Sequence, residues 1–343
     1  MKQVELVSGI FHLQGGSNVG LVVRDGKGLL IDAGLDEDTA RRALRAAGEA
    51  GVTLVAVFLT HAHADHFGGA HFLQRRLGVP LYAPPLEAAL MENPIIEPLY
   101  LFGGAAPIGE LRSKFTLAQP CKIDHVIPVV ATSVAPPAQT TTKVVTTNHP
   151  NEPVVATSVA PPAQTTTEVI TTNHQYEIGP FQVEAVALPG HAPNQVGVAV
   201  GEVLFCADAV FPAETLEKHQ ITFCVDLDET LATLQRLPEL PYAHFAPGHG
   251  PAYAAGEEIA QACAANRERL EAVRAQVYAT LAEPQETSMI VRQVADHFGL
   301  RMTTATAYFL TQATILAALS SLERASKAAV VMEDNRLLWQ RTR

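Results

Sequence analysis

The N-terminal part of the chain alternates short apolar runs with turn residues. Residues 19–23 and 28–32 are apolar and flank a glycine-containing turn, which predicts a β-hairpin. Residues 36–50 carry Ala, Leu and Arg at helical spacing and end before a glycine, so we expect a helix there. The continuous apolar run at 55–59 predicts a buried strand. Hairpin, helix and buried strand together indicate a layered α/β domain.

The second half of the chain begins with strand patterns and ends with helical ones. Short strands are predicted at residues 181–186, 196–200, 203–206 and 244–246. Helices are predicted at 257–282 and at 303–322, and a third helix between them is predicted to begin at a cap formed by Thr287 and Ser288. A hairpin is predicted at 329–339. The change near residue 257 predicts two domains, 1–256 and 257–343.

A tandem duplication interrupts this pattern. Residues 128–149 recur as 153–174 at a lag of 25, with two differences. A solenoid needs about three or more stacked units, so two copies indicate an insertion. Its Thr, Val, Pro and Ala composition predicts a flexible or weakly β surface insert over 128–174. His149 and His174 are copies of one position, so we expect neither to bind a metal.

Length and composition limit the class of protein. At about 150 residues per domain, 343 residues fit two domains, and 48% hydrophobic residues can form a sizeable core. The formal net charge of −11 disfavours a nucleic-acid partner. Four scattered cysteines indicate reduced thiols. A charged N-terminus and the lack of an apolar run of about 18 residues predict a soluble, cytoplasmic protein with no membrane partner.

Four possible metal ligands lie within six residues, directly after the predicted strand at 55–59. They are His61, His63, Asp65 and His66. In extended chain His61 and His63 point the same way, and the carboxylate and third histidine then fall at the start of a helix. Imidazole and carboxylate ligands suit zinc, manganese or iron, and zinc is the commonest choice for hydrolysis.

Three further candidate ligands occupy similar settings downstream. His191 and His249 each follow a strand and a Pro-Gly turn, and Asp208 ends the apolar strand at 203–206. A lone histidine is weak evidence of a metal site, but this ordered set is specific.

The ordered set resembles the metallo-β-lactamase superfamily. Its hallmark H-x-H-x-D-H and its three later ligands are matched, in order, by His61, His63, Asp65, His66, His191, Asp208 and His249. Asp32 matches the family's buried aspartate beneath the metal loop. The resemblance spans about residues 5–255, apart from the insert.

This resemblance implies an αβ/βα sandwich with two divalent metal ions, most simply zinc, with manganese or iron as alternatives. One ion would be held by His61, His63 and His191 and the other by Asp65, His66 and His249, with Asp208 bridging. A hydroxide between the two ions would attack a carbonyl or phosphoryl centre. Asp65 is the candidate catalytic residue that orients this nucleophile. Ala64 stands where the flavodiiron branch has glutamate, which favours hydrolysis over reduction of oxygen or nitric oxide.

The preferred function is hydrolysis of an ester or thioester of a small molecule, as in the hydroxyacylglutathione hydrolases that the chain resembles. Residues 93–104 read as a loop with apolar and aromatic side chains, which would suit an acyl group over the metals. The basic cluster that the hydroxyacylglutathione hydrolases use for the glutathione carboxylates is not found in the sequence.

The alternative is a metal-dependent endoribonuclease or phosphodiesterase. The C-terminal pattern resembles the winged-helix domain of one branch of the superfamily, which includes endoribonuclease-like proteins. From residue 283 onward there are seven basic and six acidic residues, so this part of the chain has almost no net charge. A domain that packs on the catalytic core is therefore favoured over one that binds nucleic acid.

Two other functions are disfavoured. A β-lactamase commonly has cysteine where Asp208 stands, and Cys206 is expected in the core. A non-enzymatic binding module would leave a full ligand set crowded without metal. Neither the substrate nor the oligomeric state follows from the sequence.

Overall fold

The computed structural model describes residues 1–129 and 174–342. Nearly all of the predicted insert at 128–174, including His149, therefore lies outside the described residues, and of His174 only the backbone is described. Within the described part of the chain, two mixed sheets face each other and helices cover their outer faces.

Seven described strands form the first sheet in chain order. They are β1 (Lys2–Val7), β2 (Ile10–Gln14), β3 (Val19–Arg24), β4 (Lys27–Ile31), β5 (Thr53–Phe58), β6 (Leu81–Ala83) and β7 (His125–Val126). The first four pair antiparallel, and β4 to β7 pair parallel. The predicted hairpin and buried strand are confirmed as β3, β4 and β5.

Six described strands form the second sheet, in the order β13-β12-β11-β10-β9-β8. They are β8 (His174–Ile178), β9 (Phe181–Ala187), β10 (Val196–Val200), β11 (Val203–Ala207), β12 (His244–Pro247) and β13 (Tyr253–Ala254). Only the pair β11 and β12 is parallel among these. The four strands predicted in this half of the chain are confirmed.

The described helices are α1 (Glu37–Glu49), α2 (Ala64–Phe67), α3 (Ala70–Leu77), α4 (Pro85–Glu92), α5 (Ile96–Leu101), α6 (Ala213–His219), α7 (Leu227–Arg236), α8 (Glu257–Thr280), α9 (Thr287–His297) and α10 (Ala305–Arg324). Helix α1 begins where predicted because the Asp36 carboxylate accepts the backbone N–H of Thr39, a bond that satisfies a free donor of the first turn.

Three apolar clusters account for the layers. Val22, Ile31, Phe58, Phe181, Val198 and Phe205 are among the side chains buried between the two sheets. A second cluster packs α1 and α3 on the outer face of the first sheet. A third packs α7, α8, α9 and α10 on the outer face of the second sheet. The result is the predicted αβ/βα sandwich.

The C-terminal helices share a continuous core with the second sheet. Helix α10 is long and apolar enough to cross a membrane by length and composition, but it buries Ile315, Leu319 and Leu322 against the neighbouring helices, as a core helix does. The chain ends in the predicted hairpin, β14 (Ala328–Glu333) and β15 (Arg336–Arg341). Its two turn residues, Asp334 and Asn335, have positive φ, which is typical of a tight hairpin turn. A domain boundary at 257 and a winged-helix identity stay predictions.

Two local predictions are wrong. Residues 93–104 are not a loop, because the chain forms helix α5 there. The buried residues Glu97, Pro98 and Leu101 lie on one face of this short helix. Helix α9 is not capped by Thr287 or Ser288. Its first capping position is Glu286, which makes no side-chain capping bond, and Thr287 instead accepts a hydrogen bond from the Trp339 indole at 3.3 Å.

Candidate metal centre

The loop after β5 carries four of the predicted ligands. His61 and His66 are fully buried, and the rings of His61 and His63 lie 4.7 Å apart, so both histidines of the first pair face the same region as predicted. Helix α2 then begins at Ala64 and places Asp65 and His66 on its first turn. A side chain at Gly68 would collide with the backbone of Leu35, which explains the glycine at this tight turn.

The other three predicted ligands come from loops of the second sheet. His191 follows β9, Asp208 follows β11, and His249 follows β12. Asp208 comes after Ala207, whose φ is +48° and where the register between β11 and β12 shifts. All seven predicted residues therefore meet at one edge of the sandwich.

The ligand atoms fall into three overlapping groups, each with its atoms within 4.8 Å of one another. The groups are His61 with His63 and His191, His61 with His66 and Asp208, and Asp65 with His66 and His249. The distance from Nε2 of His66 to Oδ1 of Asp208 is 3.2 Å, and that from Nε2 of His249 to Oδ2 of Asp208 is 3.4 Å. Asp208 thus lies between the ligand group of His191 and that of His66 and His249. The role of the seven residues as metal ligands stays a prediction.

Three observations show that the centre fits metal ions. Within the described residues, the buried atoms His61 Nε2, His66 Nε2 and Asp208 Oδ1 form no hydrogen bond of acceptable geometry, although the last two lie 3.2 Å apart, and burial of an unpaired polar atom is costly. Two ligand atoms about 2.1 Å from one tetrahedral ion lie about 3.4 Å apart, which matches the spacings above. A Cβ at Gly248 would collide with Asp208 and His66, so glycine there keeps the cavity open.

Asp32 supports the centre from below, as the sequence predicts. Its Oδ2 accepts a hydrogen bond from Nδ1 of His66 at 2.8 Å, and its Oδ1 accepts the backbone N–H of Thr60 at 2.8 Å. The Thr60 hydroxyl donates to Asp32 and lies 3.0 Å from Nδ1 of His61. The outer nitrogens of two candidate ligands are therefore occupied, which directs their Nε2 atoms at the centre.

Two further histidines are oriented by backbone carbonyls, and Asp65 is contacted by a hydroxyl. Nδ1 of His191 donates to the Phe223 carbonyl at 2.9 Å, and Nδ1 of His249 donates to the Gly16 carbonyl at 2.8 Å. The Ser17 hydroxyl donates to Oδ2 of Asp65 at 3.2 Å. The two carbonyl bonds leave the Nε2 atoms of His191 and His249 free for an ion.

Two of the histidines are held neutral. Burial lowers the pKa of His61 well below its ordinary value, and the neighbouring His66 and His63 rings lower it further. Burial also lowers the pKa of His63 to about 3, with the facing ring of His191 adding to the effect. A neutral imidazole has the free lone pair that a metal ligand requires.

His66 and His249, on the other side of the centre, have raised pKa values. Burial alone would lower the pKa of His66, but the carboxylates of Asp208 and Asp65 outweigh it and raise that pKa well above the ordinary value. Burial would also lower the pKa of His249, but the Asp208 carboxylate outweighs burial and raises that pKa to about 10. Both shifts favour the protonated form of the ring when no metal is bound.

Sequence reasoning missed several residues at the centre. The half-buried rings of Phe211 and Phe223 pack against His191, with centroids 5.6 and 5.5 Å away, and form an apolar rim. Glu87 of α4 is fully buried and accepts the backbone N–H of Ala62. The sequence analysis predicts no helix here, and a glutamate in a helix normally faces solvent, so no local pattern indicates this role.

Two facing sheets with a His- and Asp-rich centre on the loops at one edge define the class of metallo-hydrolases. The family model described as the metallo-beta-lactamase superfamily matches residues 13–249, and the chain belongs to that superfamily. It is a hydrolase, and its superfamily binds divalent metal ions.

The similarity to known proteins is partial in sequence and extensive in fold. The chain is 43% identical over 68 residues to a hydroxyacylglutathione hydrolase of Xanthomonas campestris pv. campestris, a match that covers 20% of this chain and a quarter (25%) of that protein. It is 23% identical over 243 residues to "Probable metallo-hydrolase YqgX" of Bacillus subtilis, covering 68% and 85% of the two chains. A beta-lactamase domain protein from Burkholderia ambifaria shares the fold, with a TM-score of 0.66 at 18% identity over 99% of this chain and 94% of that one.

Proposed function

We propose that the protein is a dinuclear metal-dependent hydrolase that cleaves an ester or thioester of a small molecule. The observation that carries this proposal is the position of Asp208 between two ligand sets, within 3.5 Å of Nε2 of His191 and 3.4 Å of Nε2 of His249. One carboxylate that reaches both sets is what a pair of ions requires. A mixed imidazole and carboxylate set favours zinc, with manganese or iron as alternatives.

Divalent ions bound there would supply a water whose pKa is lowered to about 7 and would polarise the carbonyl oxygen of the substrate. Asp65 is our candidate for the residue that orients that water. Its Oδ2 lies 3.3 Å from Nε2 of His249, and its side chain is 30% exposed, whereas that of Asp208 is 5% exposed. Burial raises the pKa of the Asp65 carboxyl, but His66 and His249 outweigh it and keep that pKa below its ordinary value, so the group is ionised and can accept a hydrogen bond from the attacking water.

The surroundings of the centre support an apolar acyl group. Phe223 packs its ring against His63 at 5.3 Å, and Phe211 packs against His249 at 6.1 Å. Tyr100 and Ile96 are exposed on α5. Burial raises the pKa of Glu97 on that helix well above its ordinary value, and the negative charge of Asp65 adds to the shift. Aromatic and aliphatic side chains around a polar centre are typical of pockets for small organic substrates. The partial similarity to a hydroxyacylglutathione hydrolase points the same way.

A substrate panel tests the proposal. We would assay zinc-loaded protein with acyl esters, acyl thioesters with and without a glutathione moiety, a phosphodiester and RNA, and use Asp208→Ala protein as the control for contaminating enzymes. We expect ester or thioester turnover that the variant lacks. Cleavage of RNA or the phosphodiester without ester or thioester turnover would replace this proposal with the nuclease alternative.

A further inference from the structure

Glu87 joins two loops that carry candidate metal ligands. Its side chain is 0% exposed. Oε2 accepts the backbone N–H of Ala62 at 2.9 Å, and Oε1 accepts the backbone N–H of Asn194 at 2.8 Å. Ala62 lies between the first two candidate histidines, and Asn194 lies three residues after the third. One carboxylate from α4 thus contacts both loops of a single ligand group.

These two loops belong to different sheets. The first follows β5, and the second connects β9 to β10. A backbone bond from Val196 N–H to the Thr60 carbonyl, at 3.2 Å, joins them where the strands end. Glu87 joins them closer to the ligands, where Nδ1 of His63 lies only 2.8 Å from Nε2 of His191. A small shift of either loop would therefore change the spacing of the ligand atoms directly.

A neutral side chain of the same length could not make both contacts. Each carboxylate oxygen of Glu87 accepts one N–H, whereas glutamine offers one acceptor and would place its own N–H₂ against the second backbone donor. The charge is also informative, because within residues 1–129 and 174–342 no basic side chain forms an ion pair with Glu87. A buried carboxylate with only amide partners is stabilised by nearby cations, such as metal ions in the adjacent centre.

We propose that Glu87 is a positioning residue that fixes the separation of the loops carrying His61, His63 and His191, and so sets the affinity of the ion held by that group. The proposal rests on the proposed metal-dependent function. It predicts a selective effect on this ion, because Asp65 and His66 belong to helix α2, beyond the Glu87 contact at Ala62, and the loop of His249 makes no described contact with Glu87.

Zinc titration of the metal-free full-length chain against a chelator tests this. In Glu87→Gln we expect one equivalent to bind about 10- to 100-fold more weakly, as is typical when a group that orients a ligand is lost, and the other to bind as in the wild type. The matched control is Glu92→Gln. Glu92 lies on the same helix and accepts the Ile123 backbone N–H at 3.0 Å, away from both loops, so its variant should bind like the wild type.

The thermal midpoint of the metal-free proteins separates positioning from stability. Equal weakening of both equivalents together with a lower midpoint would show a structural role and overturn the proposal, as would unchanged affinity for both. If Glu87→Gln does not fold, Glu87→Asp, which keeps the charge but is too short to reach both loops, should show the same selective loss. A wild-type chain that binds no zinc would instead overturn the proposed function itself.

Discussion

Asp32 and His66 are joined by a 2.8 Å hydrogen bond that fixes which nitrogen of His66 faces the metal centre. Because Asp32 also accepts from the Thr60 hydroxyl, which contacts Nδ1 of His61, one buried carboxylate orients two candidate ligands. Asp32 has a φ of +64°, a conformation that aspartate and asparagine tolerate better than most residues. Asparagine can therefore replace Asp32, which removes the negative charge without straining the backbone.

Asp32→Asn should weaken zinc binding by about 10- to 100-fold, because the amide cannot accept all the hydrogen bonds that orient the two histidines. Zinc titration against a chelator measures this. Asp25→Asn is the matched control, since Asp25 also has a positive φ, of +50°, but lies in the exposed turn between β3 and β4. Equal zinc affinity of the two variants would contradict the role given to Asp32.

Thr314 connects α10 to the loop behind His191. Its fully buried hydroxyl donates to the Thr222 carbonyl at 3.1 Å and accepts the Cys224 backbone N–H at 3.2 Å. Thr314→Val keeps the shape but leaves both backbone groups without this partner, so we expect the free energy of unfolding to fall by about 1 to 3 kcal/mol. Thr314→Ser should retain most of the wild-type value in urea denaturation. Wild-type stability of the valine variant would contradict this account.

His12 should make the protein less stable in acid. Burial lowers its pKa from 6.5 to about 4, although a hydrogen bond to the Pro247 carbonyl opposes the shift. The unfolded chain therefore binds a proton at His12 below about pH 6.5 while the folded chain does not until about pH 4, and stability is lost as the pH falls through this window. Between about pH 7.5 and pH 5.0 the loss from His12 alone should be about 2 kcal/mol.

Urea denaturation at both pH values measures the contribution of His12 by difference. His12→Gln keeps a side-chain N–H but does not titrate, so its stability should fall less than that of the wild type over the same range. Parallel losses in the two proteins would show that His12 is protonated equally in both states.

Metal binding should release protons at neutral pH. His66 and His249 have raised pKa values in the metal-free chain, and a ring must lose its proton from the ligating nitrogen before it binds an ion. Calorimetric titration of zinc in buffers with different ionisation enthalpies measures this release. A binding heat that does not depend on the buffer would contradict the protonation states described above.

The sequence was sufficient for the features set by local pattern. The hairpin β3-β4, helix α1 and strand β5 follow from alternation, capping and a continuous apolar run, and His61 to His66 follow from ligand types at short spacing. His191, Asp208 and His249 are each weak signals after a strand and become specific only as an ordered set with the first four ligands, and the family resemblance then divides that set between two ions.

Other features depend on contacts between distant segments. The sequence predicts a loop at helix α5 because the proline and the short length of the segment hide the helical spacing, and only packing decides that Glu97 turns inward. Glu87 contacts loops 25 and 107 residues away in sequence, and Thr314 contacts a loop about 90 residues away, so local pattern could not reveal them. The Phe211 and Phe223 rings reach the centre only once both sheets are assembled.

Metal content measured together with turnover tests the central claim most directly. We expect about two equivalents of divalent metal in the wild-type protein, loss of hydrolysis on chelation and recovery when zinc is restored. His61→Ala and Asp208→Ala should lose both metal and turnover while remaining folded by circular dichroism. Less than one equivalent in freshly purified wild type, or normal hydrolysis by either variant, would contradict the account.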